Sequence, residues 1–392
     1  MKVLLVAAEA PFPPVTGFRL VVGTLLARLP DRHDVRLLAF QMPDQAPGPL
    51  PVPATLLPWP QLSRVDDLRD LARGAVTGRP LRPDRLAALV APHVQHEIER
   101  FQPDVVHVVS ERLAALGSRL EGVPTVLTPL DAWHRNVAAD ARASSGLRGW
   151  LLRGEVARVE RYEAREYRRF GAVTVVSAQD ADALRRLAPD LPLVVVPNGV
   201  DLDRYRPRPE LPREPHRIAF HGVMRYAPNV TAAQYLVDDV LPLVRTEVPQ
   251  ATVALVGRDP APEILALAGD HVEVTGEVDD VVPWLAGARV YACLMRSGTG
   301  IKNKLLEAMA CGLPAVVTPL ALQGMQVEPG VDAVVADDAA SAAMAITALL
   351  RDDGHAARIA AAGRAYVQQH HSWEAAVAAY EACYDRVTGS RA

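Results

Sequence analysis

Short apolar runs recur along the chain and alternate with stretches of helical periodicity. Val3 to Ala7 is the first run; a turn with Pro11, Pro13, Pro14 and Gly17 follows, then a helical pattern over Leu20 to Leu29. A strand buried on both faces reads as an unbroken apolar run, and a following helix can cover its sheet, so this unit predicts a parallel sheet. Val35 to Phe40 is the next predicted strand. Between Met42 and Pro60 prolines recur without period, which predicts an irregular surface segment. Helices are expected over Val65 to Val76 and Arg82 to Arg100, and strands at Val105 to Val109, Thr125 to Thr128 and Val173 to Ser177. Between the last two, residues 147–170 carry seven arginines among four glutamates. This interleaving predicts a solvated surface helix laced with ion pairs rather than one docked on anionic lipid.

Val194 to Pro197 ends in an Asn198-Gly199 turn, and a Pro- and Arg-rich stretch from Arg204 to Pro215 follows. That composition marks a domain boundary. A second alternation then begins, with strands at Arg217 to His221, Thr252 to Val256, Val272 to Thr275, Val290 to Leu294, Ala315 to Thr318 and Ala333 to Ala336. Helices are expected over Asn229 to Val244, Val281 to Ala286, Asn303 to Ala310 and Leu349 to His370, and a last one, capped at Ser372-Trp373, runs to about Val387. The expected organisation is a domain over 1–198, a second over 199–371, and a terminal helix over 372–392 returning to the first. Two doubly wound α/β domains would face each other across a cleft, with ligands outside the carboxyl ends of the strands. That places Gly17, Asp131, Gly222, Gly257 and residues 298–307 at the cleft.

The stretch Ser297 to Gly312 holds the densest chemistry. A Gly298-Thr299-Gly300 turn runs into a helix whose first N–H groups are unpaired, and two lysines, Lys302 and Lys304, stand at its start. Free donors, the helix dipole and two cations make a site for a phosphate or pyrophosphate. Glu307, one turn further in, could accept hydrogen bonds from vicinal hydroxyls such as those of a ribose. The chain has only three lysines, at 2, 302 and 304, so two here point to a local need for a compact point charge.

A length of 392 residues with 49% hydrophobic and 22% charged content suits two globular domains. A net charge of −4 without a basic tail argues against nucleic acid. The three cysteines lack metal spacing and form no even framework, and no run of about 18 apolar residues occurs, so a cytoplasmic protein is expected.

Val196-Pro-Asn-Gly-Val-Asp201, Phe220-His-Gly-Val-Met224 with Pro228-Asn229, Leu255-Val-Gly257, Gly276 followed by Val278, and Gly298 to Pro314 together resemble the family 4 retaining glycosyltransferases of the GT-B fold. The resemblance covers nearly the whole chain, with its specific motifs mostly in the second half. It implies transfer of a sugar from a nucleotide diphosphate donor to a saccharide or small-molecule acceptor, with retention and without metal or further cofactor, by a monomer or homodimer. Glu307 matches the second glutamate of the family's paired-glutamate motif, which holds the ribose. Gly17 matches the loop glycine beside the diphosphate, and Thr299, Gly300 and Ile301 match backbone groups that meet the donor sugar. The first glutamate of the motif is replaced by Thr299, and the common Arg and Lys pair near Val223 and Pro228-Asn229 is absent. Lys302 and Lys304, with Arg225, are expected to neutralise the pyrophosphate instead, as in a subgroup with a Gly-x-Gly-x-Lys-x-Lys loop.

Front-face attack by the acceptor hydroxyl is then expected, with the departing phosphate taking its proton. Asp131 and His134 are candidates for positioning the acceptor or the sugar hydroxyls, and the Pro-rich 42–60 segment and an irregular 131–147 segment for shaping the acceptor pocket. Competing readings are an epimerase or phosphorylase on the same fold and a non-catalytic subunit. A nicotinamide dehydrogenase is disfavoured, because no Gly-x-Gly-x-x-Gly follows either first strand.

Overall fold

The computed structural model describes the chain except for residues 14–16, 44–48, 61–79, 81–82, 299 and 390–392. The helix expected over Val65 to Val76, and Thr299, therefore lie outside the described residues. Two compact units are present: Met1–Pro197 together with Ala376–Ala392, and Asn198–Ala375.

The first unit is built on seven strands: β1 (Lys2–Ala7), β2 (Asp34–Gln41), β3 (Ala54–Pro58), β4 (Val105–Val109), β5 (Thr125–Leu130), β6 (Ala172–Val175) and β7 (Leu193–Val195). All pair in parallel, in the order β3-β2-β1-β4-β5-β6-β7. Register places Leu5 between Leu37 and His107. His107, fully buried in β4, bonds the Thr128 hydroxyl at 2.7 Å and the Tyr384 hydroxyl at 2.8 Å. That link ties the terminal helix, Trp373–Gly389, to the sheet of this unit.

Three sequence expectations are corrected. The segment Met42 to Pro60 contains β3, paired with β2; its prolines stand at or beyond the strand's ends, where an edge strand tolerates them. Residues 131–147 are not irregular: they hold the helix Trp133–Ala143 and the start of Gly146–Glu166. The expected helix from Leu349 is two helices, Ala339–Arg351 and Asp353–His370, divided at Asp352, whose carboxylate accepts the His355 N–H at 2.8 Å.

The second unit carries six parallel strands, β8 (Arg217–His221), β9 (Thr252–Val256), β10 (Val272–Gly276), β11 (Val290–Cys293), β12 (Ala315–Val317) and β13 (Val334–Val335), in the order β10-β9-β8-β11-β12-β13. Its first connecting helix starts at Ala227 and passes through a π-helical turn at Tyr235–Val240. Strand order reverses beside β1 and β4 in one sheet and beside β8 and β11 in the other. Such switch points are where open α/β sheets bind ligands, at the carboxyl ends of the strands.

Candidate functional site

At the switch point of the second unit, β8 ends at His221 and β11 leads into the 294–302 loop. Gly222 follows β8 with φ +153°, and Gly257 follows β9 with φ +145°. A Cβ on Gly257 would stand 1.8 Å from the Gly222 carbonyl oxygen, so the two chain ends approach closer than any side chain allows. A Cβ on Gly222 would meet Asn229 Nδ2 at 2.7 Å and Lys304 Nζ at 3.1 Å. The bare backbone of Gly222 thus forms one wall beside the Lys304 ammonium.

Lys302 and Lys304 differ in their surroundings. Lys302 precedes the helix Asn303–Ala310 in extended backbone and makes no side-chain cap. Its ammonium folds back on the turn, donating to the Gly300 carbonyl at 2.7 Å and the Gly298 carbonyl at 3.4 Å. Gly298 and Gly300 have φ of +97° and +73°, which points their carbonyls at that charge. Lys304 lies in the first helical turn, donates to Asn229 Oδ1 and sits 5.1 Å from the Phe220 ring centroid. Burial lowers its pKa to about 8.

Glu307 occupies the next turn of that helix. His221 Nε2 lies 2.7 Å from Glu307 Oε2, and His221 Nδ1 lies 3.0 Å from the Tyr291 hydroxyl. Tyr205 lies near this carboxylate, and its hydroxyl pKa is raised by burial and then by the Glu307 charge. Ile301 packs against the core of this unit, and Val278 follows Gly276, whose carbonyl accepts the Gly257 N–H at 3.2 Å. Gly222, Gly257, Gly300, Lys302, Lys304 and Glu307 therefore gather around one switch point. The Arg225 side chain is 69% exposed and lies 3.6 Å from Asp259.

In the first unit the residues at the strand ends form their own group. Leu130, with φ +69°, ends β5 and packs 3.6 Å from where a Cβ on Gly17 would lie. Asp131 follows, then the helix Trp133–Ala143 with His134 in its first turn. Ser110, with φ +129°, follows β4, and burial raises the carboxyl of the next residue, Glu111, to about 7. His134 Nδ1 lies 2.6 Å from Glu163 Oε2.

Sequence reasoning passed over His221, Asn229, Tyr291 and Glu163. His221 ends a buried strand, where a polar residue is out of pattern. Glu163 falls on the buried stripe of its helix with Val159 and Tyr162, so an acid on an apolar face was the signal.

Comparison with known proteins follows this division. Residues 15–204 match the family described as Glycosyltransferase Family 4, and residues 215–352 match Glycosyl transferases group 1. The chain is 30% identical over 207 residues to a phosphatidyl-myo-inositol mannosyltransferase of Mycobacterium leprae, covering 50% of this chain and 54% of that one. It is likewise 30% identical over 213 residues to a GDP-mannose-dependent alpha-(1-6)-phosphatidylinositol monomannoside mannosyltransferase of Mycobacterium tuberculosis, covering 47% and 54%. The matches thus span about half the length of these relatives. Among solved structures, a sucrose-phosphate synthase from Thermosynechococcus elongatus superposes with TM-score 0.73 at 17% identity over all of both chains. HepE of Anabaena, in complex with UDP, superposes with TM-score 0.68 at 17% identity over 97% of this chain and 99% of that one.

Proposed function

We propose that the chain, whose residues 15–204 match Glycosyltransferase Family 4 and whose residues 215–352 match Glycosyl transferases group 1, is a glycosyltransferase of that type and transfers a sugar from a nucleoside diphosphate donor to an acceptor hydroxyl. The observation that carries this reading is Lys304, a half-buried cation beside the bare backbone of Gly222, with Glu307 one helical turn away. A pyrophosphate accepts hydrogen bonds from an ammonium and from first-turn N–H groups. A ribose offers two hydroxyls to a carboxylate. Relatives named for GDP-mannose and a neighbour solved with UDP support a nucleotide sugar as donor.

In the mechanism that follows, charge grows on the β-phosphate as the glycosidic bond loosens. Lys304, together with the N–H groups of Asn303 and Lys304, stabilises that charge, and Lys302 holds the Gly298 to Gly300 turn in shape. The acceptor hydroxyl attacks from the face the phosphate leaves, gives its proton to that phosphate, and the anomeric configuration is retained without a metal. In the first domain, His134 and Asp131 are the groups proposed to meet acceptor hydroxyls.

The test is product formation. Purified protein is incubated with GDP-mannose, UDP-glucose and other nucleotide sugars, with lipid and saccharide acceptors, with EDTA and with Mg²⁺. Release of nucleoside diphosphate that depends on acceptor, with a product of the donor's anomeric configuration by NMR and equal rates in EDTA, supports the reading. Inversion, or a requirement for Mg²⁺, contradicts the mechanism.

A further inference from the structure

His134 and Glu163 make a second polar assembly, entirely within the first unit. The helix Trp133–Ala143 begins after Ala132, a residue that offers no side-chain cap. Its cap comes from another helix. The Trp133 N–H donates to Glu163 Oε1 at 2.7 Å, and the His134 N–H reaches Oε2 at 3.4 Å. The same Oε2 lies 2.6 Å from His134 Nδ1. Glu163 itself is 0% exposed, on the stripe of Gly146–Glu166 that packs into the core.

Capping alone is a weak reason to bury a carboxylate. A Ser or Asp at position 132 would cap the helix locally at far lower desolvation cost. Burial pushes the Glu163 carboxyl up, an effect that His134 and the two N–H groups offset only in part. What the buried position adds is control of the imidazole. An acceptor at Nδ1 selects the ring form that carries its proton there. Nε2 makes no hydrogen bond among the described residues, and the ring stands at the carboxyl end of β5, following the strained Leu130.

We propose that Glu163 is a positioning residue that holds His134 as its Nδ1–H tautomer, leaving Nε2 as a lone-pair acceptor for a hydroxyl of the sugar or of the acceptor molecule. The proposal rests on the reading that the strand ends of this domain meet such hydroxyls. A hydroxyl bound at Nε2 donates its proton and is thereby oriented. In the opposite tautomer Nε2–H would donate instead, and a hydroxyl would have to turn its lone pair to it.

The test combines a spectroscopic reading with kinetics. Two-dimensional ¹H–¹⁵N spectra of histidine-labelled full-length protein report the tautomer, with the His134 signals assigned by loss in His134→Gln. The wild type is expected to show a protonated Nδ1 and a bare Nε2. Glu163→Gln keeps an oxygen for the helix cap but can present an NH₂ group to Nδ1, so the pattern should invert while the melting temperature stays near that of the wild type. A bare Nδ1 in the wild type overturns the proposal, whatever the variant does. So does an unchanged tautomer in Glu163→Gln.

Turnover should fall at least tenfold in Glu163→Gln, with the Kd for nucleoside diphosphate unchanged. A raised KM for the donor alone assigns the hydroxyl to the sugar; a raised KM for the acceptor alone assigns it to the acceptor. Unchanged kinetics with an inverted tautomer overturns the role of Nε2. Loss of nucleoside diphosphate binding by the wild type would instead strike the functional reading, a result separable from the tautomer.

Discussion

His221 Nε2 stands 2.7 Å from Glu307 Oε2 while its Nδ1 stands 3.0 Å from the Tyr291 hydroxyl, so a buried strand residue braces the carboxylate proposed to hold the ribose. The imidazole fixes Glu307 before any ligand arrives, which lowers the entropy lost on binding. Replacing His221 and Tyr291 together by Phe removes the brace without stranding a buried hydroxyl. This double variant should fold and lose about tenfold in nucleoside diphosphate affinity, the worth of one charge-assisted hydrogen bond. Glu307→Ala should lose about 100-fold. Calorimetric titration checks both.

Lys304 yields a pH signature. Burial holds its pKa near about 8 in the free protein, and a neighbouring pyrophosphate would raise it by favouring the charged form. Binding at pH 8 should therefore take up about half a proton, and affinity should fall as pH rises above that value. Titrations in HEPES and in Tris separate the proton term, which Lys304→Ala should abolish.

The close approach at Gly257 predicts a stability effect. An alanine there would place Cβ against the Gly222 carbonyl at positive φ, at a cost of about 3 kcal/mol or more. Gly269→Ala, where a Cβ meets nothing within 4 Å, is the matched control and should be nearly neutral. Denaturant melts of the two variants decide this.

His107 links pH to the first domain. Burial lowers its pKa from 6.5 to about 3, so the folded chain keeps it neutral while the unfolded chain charges it below 6.5. Its contribution is complete above that pH and is lost as pH falls toward 3, about 2 kcal/mol by pH 5. His107→Gln should flatten the stability profile between pH 6.5 and 5 by that amount.

The sequence was most legible where burial was two-sided. Val3 to Ala7, Val105 to Val109 and Thr252 to Val256 read as strands because both faces of a parallel sheet exclude polar residues. β3 escaped notice because prolines crowd a short run, Ala54-Thr-Leu-Leu57, at a sheet edge. The Trp133–Ala143 helix escaped because its cap, Glu163, comes from thirty residues further on, and no local pattern records a cap supplied in trans. Lys302, Lys304 and Glu307 stood out by their spacing on one loop and helix. His221 and Tyr291 did not, because a brace assembled from three elements has no spacing to read. Arg225 was expected at the pyrophosphate in place of an absent Arg and Lys pair; its exposed side chain lies beside Asp259.

The most direct measurement is a titration of the purified chain with UDP, GDP, dTDP and ADP and with the matching monophosphates, in the wild type and in Lys302→Ala/Lys304→Ala. One diphosphate should bind at least tenfold tighter than its monophosphate, and the double variant should erase that preference. Equal binding of mono- and diphosphate, or an unchanged preference in the double variant, would contradict the assignment of this loop and helix to a pyrophosphate.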